Sequence, residues 1–291
     1  MLTPVHQAWR RDTIDPQAQW YVRLPDWLLD ALNDLLRDLP EPATAARLEG
    51  DLLDLCRKAL APVALALEHG RGFVVVEVPK RGYDDRQLTL LYWLVGQGLG
   101  CPVEQNVQGT LLYDVRDTGQ DVRSGARFSV TNAESSFHTD GSFFDEVVDY
   151  VGLLCLRPAR AGGLSQLVSG VTAHGELAAR HPEALAVLGQ PFHIDRRGGA
   201  RPGEGPTARF PVLNRQPDGL VFRYLRFWIE AGHDRAGQPL NPAQREALDA
   251  LDGVLGDPAL RVEFTLRPGE MFLFNNRWLL HNRTEIGRAH V

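Results

Sequence analysis

The chain has 291 residues, enough for one large domain or two small ones, and 44% of them are hydrophobic, so a sizeable core can be buried. A formal net charge of -6 with 23% charged residues argues against a nucleic-acid binder, which carries a basic surplus, but leaves room for a locally basic site for an anion. No apolar run approaches the roughly 20 residues of a membrane helix, and residues 1–20 hold no apolar stretch of signal-peptide length, so a cytoplasmic protein without a membrane partner is expected.

In chain order, residues 1–100 read as a mainly helical part. Pro25-Asp26-Trp27 opens a segment whose Leu28, Leu29, Leu32, Leu35 and Leu36 fall on one helix face. Residues 43–68 continue in that style, with Pro62 as a break and Gly70 and Gly72 as the stop. Residues 73–78 are rich in β-branched side chains and predict a buried strand; residues 84–96 predict a helix. Beyond Cys101 the pattern turns to short β-like runs at 109–116, 150–156, 165–168, 191–194, 208–213, 220–224, 261–266 and 271–274. Turn signals such as Ala161-Gly162-Gly163 and Arg267-Pro268-Gly269 separate them, and helices interrupt at 172–180 and 242–255. Many short strands with helices outside predict an α+β protein: a jelly-roll core over 101–285, flanked by helices mostly from the N-terminal third, in one catalytic domain. Residues 196–209, rich in Gly, Pro and Arg, read as a mobile loop of lid composition. Cys56, Cys101 and Cys155 are far apart and odd in number, which points to buried free thiols.

His138-Thr139-Asp140 is the central motif. On a strand, residues i and i+2 point to the same side, so this spacing sets an imidazole beside a carboxylate over one cavity. A second histidine from another strand completes the two-His, one-carboxylate facial triad, which leaves positions on Fe(II) open for cosubstrate and O2. His281, which follows the apolar Phe272-Leu273-Phe274, is the expected partner. The three-letter spacing is weak alone, because His193-Ile194-Asp195 matches it too. Context favours the first copy: within residues 131–143 the ligands stand among mostly small and polar neighbours, whereas the second copy runs into Arg196-Arg197, cations that would compete with a metal for Asp195.

Around these residues the sequence resembles the taurine-dioxygenase-like family, which includes clavaminate-synthase-like and dichlorophenoxyacetate-dioxygenase-like enzymes. After His138-Thr139-Asp140 come Gly162-Gly163-Leu164-Ser165, then Pro268-Gly269-Glu270, then Asn275-Asn276-Arg277 leading to His281, in the family's order and separations. The resemblance covers about residues 72–284. It implies an Fe(II)- and 2-oxoglutarate-dependent oxygenase that uses O2 to hydroxylate a small organic substrate, or cleave it after hydroxylation, releasing succinate and CO2. It implies iron on His138, Asp140 and His281, and a cosubstrate contact from Ser165, which stands where the family often has threonine. Asn132, Arg223 and Arg226 are candidate substrate contacts, with Gln105 and Asn106 behind them. A solvent-facing role for the arginines, stacked on Tyr224 or Trp228, competes with that reading.

The family also carries an arginine for the far carboxylate of 2-oxoglutarate, eleven to thirteen residues after its second histidine, which here falls past Val291. The peptide Ile286-Gly287-Arg288-Ala289-His290-Val291 is what a common short-read sequencing adapter encodes, with a stop codon next. Residues 286–291 are therefore expected to be a non-native, poorly packed tail, and the chain as given to bind 2-oxoglutarate weakly. Two readings stand beside the oxygenase: a non-catalytic jelly-roll module that binds a metal or small molecule, and a metallohydrolase using zinc on the same ligands. The latter lacks a second carboxylate near the His-x-Asp pair to act as a base. The substrate and the oligomeric state stay open.

Overall fold

The computed structural model describes residues 6–106, 108–120, 130–197, 199–200 and 203–287. The N-terminal part contributes β1 (Tyr21–Arg23), α1 (Asp26–Ala31), α2 (Asn33–Asp38), α3 (Gly50–Glu68), β2 (Phe73–Glu77) and α4 (Asp85–Leu99). There follow β3 (Tyr150–Leu154), β4 (Ser165–Ser169), α5 (Gly170–Arg180), α6 (Pro182–Leu188), β5 (Pro191–Asp195), β6 (Thr207–Pro211), β7 (Leu213–Gln216) and β8 (Gly219–Phe222). The chain closes with α7 (Arg226–Arg235), α8 (Pro242–Leu255), β9 (Arg261–Phe264), β10 (Met271–Asn275) and β11 (Leu279–Arg283). One sheet has the order β1-β2-β10-β3, a second β11-β4-β9, and two antiparallel hairpins pair β5 with β6 and β7 with β8.

The first sheet divides the core. Phe73, Val75, Phe272 and Phe274 face the second sheet and its helices, whereas Val74, Val76, Met271 and Leu273 face α1–α4. Successive strand residues point to opposite faces, so a strand covered on both must be apolar throughout. That is why β2 and β10 read as continuous hydrophobic runs: β10 is buried at all five positions, from Met271 to Asn275. On the inner side the aromatic rings pack both edge-on, as Phe264 and Phe272 do with centroids 5.0 Å apart, and stacked, as Phe272 and Phe274 do at 4.9 Å. Helix starts follow local chemistry: Asp84 with Gln87 caps α4, and Asn241 with Gln244 caps α8.

Several expectations are corrected. The helices do not come mostly from the N-terminal third: α1–α4 precede residue 100, and α5–α8 lie within the β-rich part. Helix α7 escapes a periodicity search because it buries only Ile229, Gly232 and His233. It lies against β5 so closely that a Cβ on Gly232 would stand 2.6 Å from the His193 carbonyl oxygen. Pro62 sits inside α3 without breaking it. It is on the exposed face, where the Lys58 carbonyl it leaves unbonded can be solvated. Residues 109–116 form no strand; Leu111 and Leu112 instead pack against the helical layer without ladder partners. Of the cysteines, only Cys56 is buried, and Cys101 is exposed. In the expected tail, Ile286 and Gly287 are hydrogen-bonded to the Asn132 and Ala161 carbonyls at 2.9 Å each, so they are not poorly packed. Arg288 lies outside the described residues. No described helix is long and apolar enough to cross a membrane.

Gly72 joins α3 to β2 at φ +82°, and a Cβ there would lie 2.3 Å from the Trp278 ring. Gly72→Ala therefore combines a strained backbone with overpacking of a buried indole. A loss of about 2–5 kcal/mol is expected. A urea midpoint equal to wild type would refute that account.

Candidate metal centre

His138 and His281 form an isolated antiparallel bridge in which each backbone N–H donates to the other's carbonyl at 2.9 Å. Directly opposed residues in such a pair project to the same face, and the two imidazole centroids are 4.1 Å apart. Asp140, two residues on, places Oδ1 3.5 Å from His138 Nε2 and Oδ2 3.9 Å from His281 Nε2. One ligand atom from each of the three residues lies within 4.8 Å of the others, and no other group of three or more such side chains occurs among the described residues.

The donor set fits a divalent transition metal. His138 Nδ1–H donates to the Ser136 carbonyl at 2.8 Å, which fixes the tautomer and leaves Nε2 with a lone pair toward Asp140. The His281 ring packs on Phe274, centroids 4.6 Å apart, and its buried Nδ1 has no hydrogen-bond partner among the described residues. Burial and the neighbouring His138 push its pKa down to about 3, so it is neutral and ready to ligate. Burial alone would raise Asp140, but the two imidazoles that face it, His138 and His281, favour its ionised form, outweigh burial and lower the carboxyl to about 2. Two imidazoles and one carboxylate on one face match the facial triad of non-haem Fe(II) sites.

The backbone around Asp140 is clamped by residues that motif reasoning passed over. Asn276 is fully buried; its Oδ1 accepts the Asp140 backbone N–H at 2.8 Å, and its Nδ2 donates to the Asp140 and Val148 carbonyls at 3.0 Å each. Thr139 N–H donates to the Tyr224 carbonyl at 2.8 Å, while Tyr224 N–H donates to Thr139 Oγ1 at 3.0 Å. The only sequence signal for Asn276 was its place beside Asn275 in the stretch leading to His281.

The remaining candidates divide. Ser165 is the first residue of β4 and is in register with Arg283 of β11, while Leu167 is in register with His281. Ser165 therefore shares the ladder face of His281. Arg226 does not face the triad: it pairs with Glu230 at 2.7 Å, Asp249 at 2.8 Å and Asp252 at 3.0 Å. Asn132 directs its amide toward Glu285, 3.5 Å away. Arg223 is buried and turned to backbone carbonyls of residues 142–145. Gln105 and Asn106 bond within their own loop, to Leu111 and to Thr110.

The second His-x-Asp copy is spent on structure. Asp195 accepts the Arg197 backbone N–H at 2.8 Å and pairs with Arg235 at 3.3 Å. His193 lies within 3.3 Å of Thr207 Oγ1 and of Gln238 Oε1. Beside it, His233 Nε2 accepts the His193 backbone N–H at 3.2 Å and its Nδ1–H donates to the Gln238 carbonyl at 2.7 Å, so the ring must be neutral.

Burial lowers the pKa of His233 and of His174, as it does that of His281. With folded values below the unfolded value of about 6.5, the unfolded chain binds more protons once the pH drops beneath it. Stability is then complete above about pH 6.5 and is lost as the pH falls toward the folded values. The urea midpoint of the metal-free protein is expected to drop between about pH 7 and pH 5, each histidine contributing up to about 1.4 kcal/mol per pH unit. A flat profile would contradict the lowering of all three imidazoles.

Comparison with known proteins agrees with this geometry. Residues 26–291 match the family described as Taurine catabolism dioxygenase TauD, TfdA family. The chain belongs to that family. It is accordingly an Fe(II)- and 2-oxoglutarate-dependent oxygenase acting with O2 on a small organic substrate. It is 27% identical over 283 residues to FR-33289 synthase of Streptomyces rubellomurinus, covering 95% of this chain and 82% of that one. It is 33% identical over 173 residues to a uridine-5'-phosphate dioxygenase of Amycolatopsis sp., covering 58% of this chain and 60% of that one. Its fold is similar to asparagine oxygenase in complex with Fe(II), 2S,3S-3-hydroxyasparagine and succinate, with a TM-score of 0.68 and 20% identity over 93% of this chain and 89% of the other.

Proposed function

We propose that His138, Asp140 and His281 hold the Fe(II), that Ser165 helps to hold 2-oxoglutarate, and that the substrate is a small polar molecule bound on the open side of this triad. The observation that carries the reading is the approach of three potential ligand atoms to within 4.8 Å of one another, on a backbone bridge that commits both imidazoles to one face. In this reading the two sheets are the halves of a double-stranded β-helix, and residues 1–285 act as one catalytic unit. Bound there, Fe(II) with 2-oxoglutarate and O2 supplies the oxidation that turns a substrate C–H into C–OH while 2-oxoglutarate becomes succinate and CO2. The chain's own share is ligation by neutral imidazoles and an ionised carboxylate, orientation by the strands, and exclusion of water by the aromatic wall of Phe272 and Phe274. The amino-acid and nucleotide chemistry in the relatives' names makes amino acids and phosphorylated small molecules the first substrates to screen.

The test is substrate-triggered release of succinate and CO2 from 2-oxoglutarate with Fe(II) and ascorbate. Turnover that survives loss of His138 or His281 would refute the ligand assignment. Ser165→Ala is expected to raise the apparent KM for 2-oxoglutarate about 10-fold, the worth of one hydrogen bond to a charged group, with little change for the primary substrate. Equal effects on both would remove Ser165 from the cosubstrate.

A further inference from the structure

Arg223 is 9% exposed and sits one residue past β8, between the ring of Phe210 and the turn that follows Asp140. Its guanidinium carbon lies 4.0 Å from the Phe210 centroid. Nη1 donates to the Ser142 carbonyl at 3.3 Å and to the Phe144 carbonyl, and Nη2 donates to the Asp145 carbonyl at 2.8 Å. Three carbonyls of one turn therefore converge on one fork, which a point-like ammonium cannot match. The same turn begins at Gly141, φ +65°, directly after the carboxylate. The neighbouring Tyr224 exchanges bonds with Thr139 on the other flank of Asp140.

We propose that Arg223 is a positioning residue for the metal centre, fixing the 142–145 turn and through it the aim of the Asp140 carboxylate. The inference rests on the assignment of His138, Asp140 and His281 as ligands. Asp140 is not on a paired strand, so nothing in a ladder holds its direction. Asn276 holds its backbone, Tyr224 holds the residue before it, and Arg223 holds the residues after it. A burial cost for the cation is offset by charge-assisted bonds to all three carbonyls. A role in substrate binding would turn the fork to the cavity, whereas both of its terminal nitrogens donate to the turn.

The experiment titrates Co(II) alone into the metal-free full chain and reads both affinity and the ligand-field spectrum. Arg223→Met keeps the stem over Phe210 and removes every donor; Arg223→Lys keeps the charge and loses the fork. Phe210→Leu loosens the ring beneath the guanidinium and serves if Arg223→Met does not fold. A folded Arg223→Met is expected to bind Co(II) about 10- to 100-fold more weakly, with an altered spectrum and Arg223→Lys in between. A purely structural arginine would lower the melting temperature and leave both readouts alone. Folded Arg223→Met, or failing that Arg223→Lys and Phe210→Leu, with affinity within about twofold of wild type and an unchanged spectrum would overturn the proposal. Asp140→Ala is the control: wild-type binding by that variant overturns the ligand assignment and this inference with it. Its loss of binding beside an intact Arg223→Met overturns the inference alone.

Discussion

Asp140→Ala is expected to abolish tight Fe(II) binding and turnover together, with turnover down by roughly three orders of magnitude or more. Asp140 is the one anion of the cluster, flanked by Nε2 of His138 at 3.5 Å and Nε2 of His281 at 3.9 Å. Without it a divalent cation meets two neutral imidazoles and no compensating charge. The carboxyl, lowered to about 2 in the fold, also favours the folded state at neutral pH, so the apo variant is expected to lose some stability as well. An anaerobic Fe(II) titration and a melting curve separate the two effects. Retained affinity in a folded variant would show that the metal, if bound, is held elsewhere.

The second large effect is expected at Asn276. Its side chain makes three bonds, all to backbone groups of the segment carrying Asp140 and Val148, and it is wholly buried. Asn276→Leu is nearly isosteric but leaves the Asp140 N–H and two carbonyls without partners in a dry environment. Each unsatisfied buried group costs about 1–3 kcal/mol, so a stability loss of about 3–5 kcal/mol is expected. Co(II) affinity should fall by about 10- to 100-fold in parallel, because the carboxylate loses its anchored backbone. Chemical denaturation of the apo protein with a Co(II) titration of the folded fraction tests both. Stability loss with unaltered affinity would confine Asn276 to the fold.

The two variants differ in how visible their residues are before the fold is known. The relation of His138 to Asp140 is local, a two-residue spacing, and the surrounding small polar residues set it apart from His193 and Asp195. The cation on Asp195 is not one of the adjacent arginines: Arg196 pairs with Glu204 and Arg197 gives it only a backbone N–H, while Arg235, forty residues on, supplies the charge. Asn276 acts 136 residues from Asp140 in sequence, and Arg223 acts 81 residues from Ser142. Both contact backbone atoms, which carry no residue-specific signal in the partner segment. Arg226 looked equally suited to a substrate, yet its neighbours on α7 and α8 absorb it in ion pairs.

By itself the sequence determined the properties that depend on short spacing or on burial of a whole segment. The capped starts of α4 and α8, the doubly covered runs that became β2 and β10, and the imidazole–carboxylate pair all follow from neighbours within a few residues. Tertiary structure alone decided which strands face each other, and hence that His138 opposes His281 in a mutual backbone bridge. It also decided that α7, poor in large apolar residues, is a helix held by close approach to β5, and that residues 109–116 form no strand. The reason is the same in each case. Periodicity reports how a segment divides between water and protein, but the partner that satisfies a buried N–H, carbonyl or charge is supplied by chain far away, and only the fold brings it there.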